Sequence, residues 1–129
     1  MTNTEVVVER RQDRRFVAKS GAFVILRPFD TGAGRLINIS MGGLMFEYVS
    51  TKEPAATATE AEIFLTESVF RLYGVPCHSV WDLPIYEIPD ISLHKRRCGV
   101  QFGELSPQQA TQLEYFIDHY TSGVEGEVI

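Results

Sequence analysis

The stretch VERRQDRRFVA, residues 8–18, packs four arginines, Arg10, Arg11, Arg14 and Arg15, into six positions. Guanidinium forks bind phosphate bidentately, grip the O6/N7 edge of guanine in the same way, and stack flat on a base. Arg11 and Arg15 stand four apart, as do Arg10 and Arg14. A second group follows at Asn38-Ile39-Ser40-Met41-Gly42-Gly43. In an extended chain Asn38 and Ser40 point to one face. With Ile37 and Ile39 inward, the amide and hydroxyl face outward. Gly42 and Gly43 permit a turn and a close backbone approach that a side chain would block. Arginine forks, a same-face amide and hydroxyl, and a glycine turn together suit a guanine nucleotide carrying phosphates.

Other chemistries find less support. No G-x-S-x-G elbow, P-loop or dinucleotide fingerprint is present. His78, His94 and His119 are scattered, and Cys77-His78 without a second close pair is not a metal-ligand spacing. No catalytic residue, metal or cofactor is expected. Net charge is -5, so a broad basic face for duplex binding is disfavoured. Single-stranded nucleic acid binding needs a basic groove with interleaved aromatics, against which the acidic balance argues. No apolar stretch approaches membrane-spanning length, and the N-terminus lacks an apolar core of signal-peptide length, so the expected location is cytoplasmic without membrane insertion. Two cysteines, Cys77 and Cys98, read as buried free thiols.

The elements that must position these groups can be read from patterning. At 129 residues, 44% hydrophobic, the chain fits one domain. Strands are expected at 22–29, 35–40, 44–49, 61–66, 69–81 and 98–105. Gly74-Val75-Pro76 should bend one of them. Residues 82–97, with two prolines, read as a long hairpin loop, and Lys95, Arg96 and Arg97 as its solvated end. Trp81 reads as a core aromatic. Ser106-Pro107-Gln108-Gln109 opens a helix with a capping box, flanked by a Leu105/Ala110 staple. Ala110, Leu113, Phe116, Ile117 and Tyr120 form its apolar stripe, and Gly123 its stop. The expected fold is mainly all-β, a six-stranded antiparallel β-barrel with a C-terminal α-helix. Residues 1–9 form a flexible arm, 10–121 the barrel domain with its closing helix, and 122–129 a tail.

These motifs resemble PilZ domains, whose signature is R-x-x-x-R followed some twenty residues later by [D/N]-x-S-x-x-G. Here Arg11 and Arg15 fill the first motif, with apolar Phe16 following, and Asn38, Ser40 and Gly43 the second. Val80-Trp81 and RRCGVQFGELSPQQ continue the likeness, which spans roughly residues 9–120. The resemblance implies a receptor for the bacterial second messenger cyclic di-GMP, without catalysis. By resemblance, Arg11 and Arg15 hold phosphates and guanine edges, Asn38 and Ser40 contact a guanine, and Gly43 lets the backbone approach. The family binds one ligand or an intercalated pair. Arg10, at the position thought to bias that choice, with Arg14 nearby, favours the pair. The expected partners are the nucleotide and an unidentified protein, not DNA or RNA. The alternative is a protein–protein adaptor of the same family that does not bind the nucleotide.

Overall fold

The computed structural model describes residues 14–28, 33–50, 58–88 and 93–124. Eight strands and one helix follow in order: β1 (Phe16–Ala18), β2 (Ala22–Arg27), β3 (Gly34–Ile39), β4 (Gly43–Ser50), β5 (Glu60–Leu65), β6 (Arg71–Ile88), β7 (Leu93–Phe102), α1 (Pro107–Tyr120) and β8 (Thr121–Val124). Alternation sets the inward face, because successive side chains of a strand point to opposite sides. Ala22, Val24 and Leu26 of β2, Leu44, Phe46 and Tyr48 of β4, and Cys98, Val100 and Phe102 of β7 are buried together.

The sheet runs β2-β5-β6-β7-β4-β3, and β3 pairs back onto β2, so six antiparallel strands close into a barrel. Closure leaves no open edge within the six-stranded ring itself. β1 and β8 extend the sheet beyond β3. The expected barrel is present. The bend falls in β6, where the register against β5 shifts and Gly74 adopts φ +60°.

Residues 82–88 and 93–97 are strand, not loop. β6 and β7 stay paired from Cys77↔Phe102 out to Ile88↔Leu93, with register shifts between Ser79 and Trp81 and between Pro84 and Tyr86. Prolines misled the reading because proline cannot donate to a central ladder. Past Pro76, however, β6 pairs with β7 alone among the described residues, and an edge tolerates proline.

The helix forms as its cap predicts. Ser106 Oγ accepts the Gln109 N–H at 3.0 Å, and Gln109 Oε1 accepts the Ser106 N–H at 3.0 Å. Gln109 Nε2 also donates to the Tyr73 and Gly74 carbonyls at 3.0 and 3.1 Å, tying the helix start to the β6 bend. Leu113, Phe116 and Ile117 are the buried stripe. The helix ends at Tyr120, ahead of Gly123. Residues 121–124 then pair with β1 as β8, where the sequence reads as helix end and tail.

Lys95, Arg96 and Arg97 each meet a carboxylate instead of ending a loop; Lys95 and Arg97 stay 46% and 40% exposed, while Arg96 is enclosed at 14%. Arg96 Nε lies 2.6 Å from Asp82 Oδ1, and Asp82 also accepts the Tyr48 hydroxyl. Glu47 faces outward on β4 between Arg35 of β3 and Arg97 of β7, its direct cross-strand neighbours. It is 7% exposed and receives Arg97 Nε at 3.0 Å, Arg35 at 3.3 Å and Lys95 at 3.5 Å. Burial pushes its carboxyl up, but the Arg97 hydrogen bond and the charges of Arg97, Lys95 and Arg35 outweigh burial and leave it below the ordinary carboxylate range. A carboxyl depressed in the folded state stabilises the fold above its unfolded pKa, and that contribution is lost as pH falls through the folded one. The stability gap between wild type and Glu47→Gln should therefore be widest near neutral pH and narrow under acid. Urea unfolding across a pH series checks this; a gap that widens on acidification would contradict it.

Candidate functional site

The site grows from a break in the β3 alternation. Leu36 pairs with Phe46, and Asn38 with Met45, so the register shifts by one residue at Ile37. Leu36 and Ile39 both reach the core, 1% and 0% exposed, while Ile37 is only partly buried. The expectation that Ile37 and Ile39 share the inward face is thus corrected: a β-bulge changes the period. The bulge leaves Asn38 in a cross-strand row with outward-facing Gly99 and Trp81. Pairing runs Asn38↔Met45↔Gly99↔Trp81 across β3, β4, β7 and β6.

Asn38 and Ser40 are not open to solvent as the sequence suggested; each is 2% exposed. Asn38 Oδ1 accepts a hydrogen bond from Arg15 Nη1 at 3.0 Å. The Ser40 hydroxyl is turned into its own chain. It accepts the Gly42 and Gly43 N–H groups, both at 3.1 Å, and donates to the Gly43 carbonyl at 3.3 Å. Ser40 N–H donates to the same carbonyl at 2.8 Å. The serine therefore shapes the glycine turn. Gly43 is required by contact: a Cβ there would fall 2.2 Å from the Val100 carbonyl oxygen.

Two adjoining hollows open over this row. One of about 310 Å³ is lined by Arg15, Ser40, Gly42, Val80, Trp81, Gly99, Val100 and Gln101. The other, about 220 Å³, is lined by Arg15, Asn38, Leu44, Met45, Trp81 and Gly99. Arg15 and Trp81 border both. The indole lies close over Gly99, where a Cβ would fall 2.4 Å from Trp81 Nε1. Trp81 is 38% exposed, so it is a surface aromatic and not the core residue expected. Its legible signal was Gly99, a glycine inside an otherwise alternating strand, which marks a close approach. Met45, Val80 and Gln101 were missed because nothing in their types singles them out.

The structure thus brings Arg15, Asn38, Ser40, Gly42 and Gly43 to one surface. Arg14 is exposed and lines neither hollow. Arg10 and Arg11 lie outside the described residues. Cys77 and Cys98 are free and buried, and burial pushes both thiols up to about 11. Among the described residues no group of three or more His, Cys, Asp or Glu could hold a metal ion. No described helix is long and apolar enough to cross a membrane.

The model of the PilZ domain matches residues 9–119. The chain belongs to the PilZ family. Solved structures share the fold. The PilZ domain of YcgR from Escherichia coli, determined with c-di-GMP, superposes with a TM-score of 0.58 at 18% identity, covering 86% of this chain and 91% of that one. The MrkH–c-di-GMP complex of K. pneumonia gives 0.59 at 18% identity, over 83% of this chain and 50% of MrkH. A second MrkH structure, described as a c-di-GMP-dependent transcription regulatory factor, gives 0.58 at 17% identity, over 83% and 49%. This PilZ chain therefore spans about half the length of MrkH. No curated protein matches the sequence.

Ser40 carries a stability prediction for this PilZ barrel. Ser40→Ala strands two N–H groups of a largely buried turn, which costs about 1–3 kcal/mol. A lowered urea midpoint with an unchanged slope is the expected result. A midpoint equal to wild type would show that the turn does not depend on the hydroxyl.

Proposed function

We propose that this protein is a receptor for cyclic di-GMP, bound over the Asn38–Met45–Gly99–Trp81 row. The observation that carries the reading is Arg15, held by Asn38 at the border of both hollows. A guanidinium there meets a phosphate or a guanine edge with paired donors. The exposed indole offers a base a flat apolar surface. The Gly42-Gly43 turn leaves room for a ligand to approach the backbone. Arg11 would complete the pair with Arg15, while Arg10 and Arg14 supply further cations. Asn38 meets the guanine once Arg15 turns toward the phosphate. The PilZ fold, and relatives determined with c-di-GMP, support the choice of ligand.

The signal in this reading is order in the arm. Four clustered arginines repel one another until a dianion joins them, and the ligand then draws the segment against the barrel. Arm, ligand and barrel together make a new surface for a protein partner. No reaction is required of any residue.

Arg10 bears on stoichiometry. A planar guanidinium can stack on or bond to a guanine of a second molecule, whereas an apolar side chain cannot. The protein should saturate at two ligands per chain, and Arg10→Leu at one. Arg15→Ala should lose roughly ten- to a hundredfold in affinity, the worth of one charge-assisted hydrogen bond, and keep its fold. Calorimetric titration with cyclic di-GMP reads both quantities. Wild-type affinity in Arg15→Ala would refute the site, and saturation of the wild type at one ligand would refute the pair. A folded wild type that ignores the nucleotide would instead be an adaptor.

A further inference from the structure

Cyclic di-GMP is twofold symmetric, two guanines on one ring closed by two phosphates, so a site that reads all of it needs places for two bases. The site has two adjoining hollows, and Arg15 and Trp81 border both. The smaller is lined by Asn38, the amide proposed above for one guanine. The larger, about 310 Å³, has no residue yet assigned to a base. It reaches the lower end of small-ligand pockets, roughly 300–1,000 Å³.

Its lining sorts by what each side chain offers a base. A guanine presents acceptors at O6 and N7 and a donor at its N2 amino group. Arginine and the indole of tryptophan only donate, so Arg15 and Trp81 cannot serve that amino group. The Ser40 hydroxyl is saturated: it accepts the Gly42 and Gly43 N–H groups and donates to the Gly43 carbonyl. The other lining residues, but for Gln101, are valines and glycines. Gln101 points outward, because Val100 and Phe102 on either side of it in β7 are buried. It is exposed, and among the described residues no hydrogen bond engages its amide. Its cross-strand neighbours are His78 and Gly43, and the glycine has no side chain to obstruct it. This row lies two residues along β7 from the Gly99 that supports Trp81.

We infer that the larger hollow is a second guanine subsite, in which Gln101 Oε1 accepts a hydrogen bond from the guanine N2 amino group. Arg15, at the border of the two hollows, then meets the phosphates that join the two bases. The inference deepens the receptor reading and rests on it for the ligand.

Calorimetric titration with cyclic di-GMP and with its inosine analogue, which lacks only the N2 amino groups, separates the two. Wild type should bind cyclic di-GMP more tightly than the analogue. Gln101→Leu should lose roughly three- to tenfold for cyclic di-GMP, the worth of one hydrogen bond, and less for the analogue, so that the preference shrinks. Gln101→Glu keeps an acceptor. Its added charge should weaken both ligands, yet the wild-type preference should persist. His78→Ala, beside Gln101 but outside both hollows, should keep it as well. These are surface substitutions, with small effects on the fold. A wild type without the preference, or Gln101→Leu with the preference unchanged, overturns the subsite and leaves the receptor reading standing. A preference lost in Gln101→Glu or in His78→Ala overturns it too, since the acceptor at Gln101 would not be what reads the base. A folded wild type that binds neither ligand fails the receptor reading and the subsite together.

Discussion

Closure of the sheet by the β2–β3 pairing, Phe23↔Arg35 and Val24↔Gly34, is the constraint from which the rest follows. Once six strands are joined in a ring, register can no longer slip without flipping a whole strand's side chains between core and solvent. The outer face then consists of cross-strand rows with fixed neighbours. One row is Asn38–Met45–Gly99–Trp81, and the next along the strands is Arg35–Glu47–Arg97–Leu83. Site and ion-pair cluster are adjacent rows of one sheet.

Charge is distributed by the same geometry. Buried Glu47 collects Arg35, Lys95 and Arg97; buried Glu62 collects Arg27 and Arg71; Asp82 takes Arg96. Six cations of an acidic protein are thereby occupied by its own carboxylates. Arg15 differs in kind, because its partner on the barrel is the neutral amide of Asn38. A neutral partner competes weakly with a phosphate, while a carboxylate would compete strongly and repel the anion as well. Asparagine in place of an acid at position 38 thus leaves the arginine available to an anion at smaller cost.

What was legible in the sequence was what local physics decides. Ser106, Pro107 and Gln109 spell a helix start through backbone groups a few residues away, and the helix begins there. The alternation in β2, β4 and β7 likewise showed a barrel wall. The errors have non-local causes. Ile37 looked inward because a bulge is a property of a strand pair, not of one strand. Pro84 looked like a loop because the vacancy on one side of β6 depends on where β5 stops pairing. Trp81 looked like core because its supporting glycine, Gly99, is eighteen positions away. The two motifs singled out Asn38 and Ser40 by type and spacing, but only the fold shows Ser40 bonded into the glycine turn and Asn38 holding Arg15.

Where a ligand's binding energy can act follows from that division. The barrel wall is a closed hydrogen-bonded ring over a packed core, and deforming it would break ladder bonds and packing together. Among the described residues, Arg15 joins the barrel through its side-chain hydrogen bond to Asn38 and through β1, a strand of three residues. An anion that takes Arg15 from Asn38 exchanges a charge–neutral hydrogen bond for a charge–charge one, and the barrel need not move.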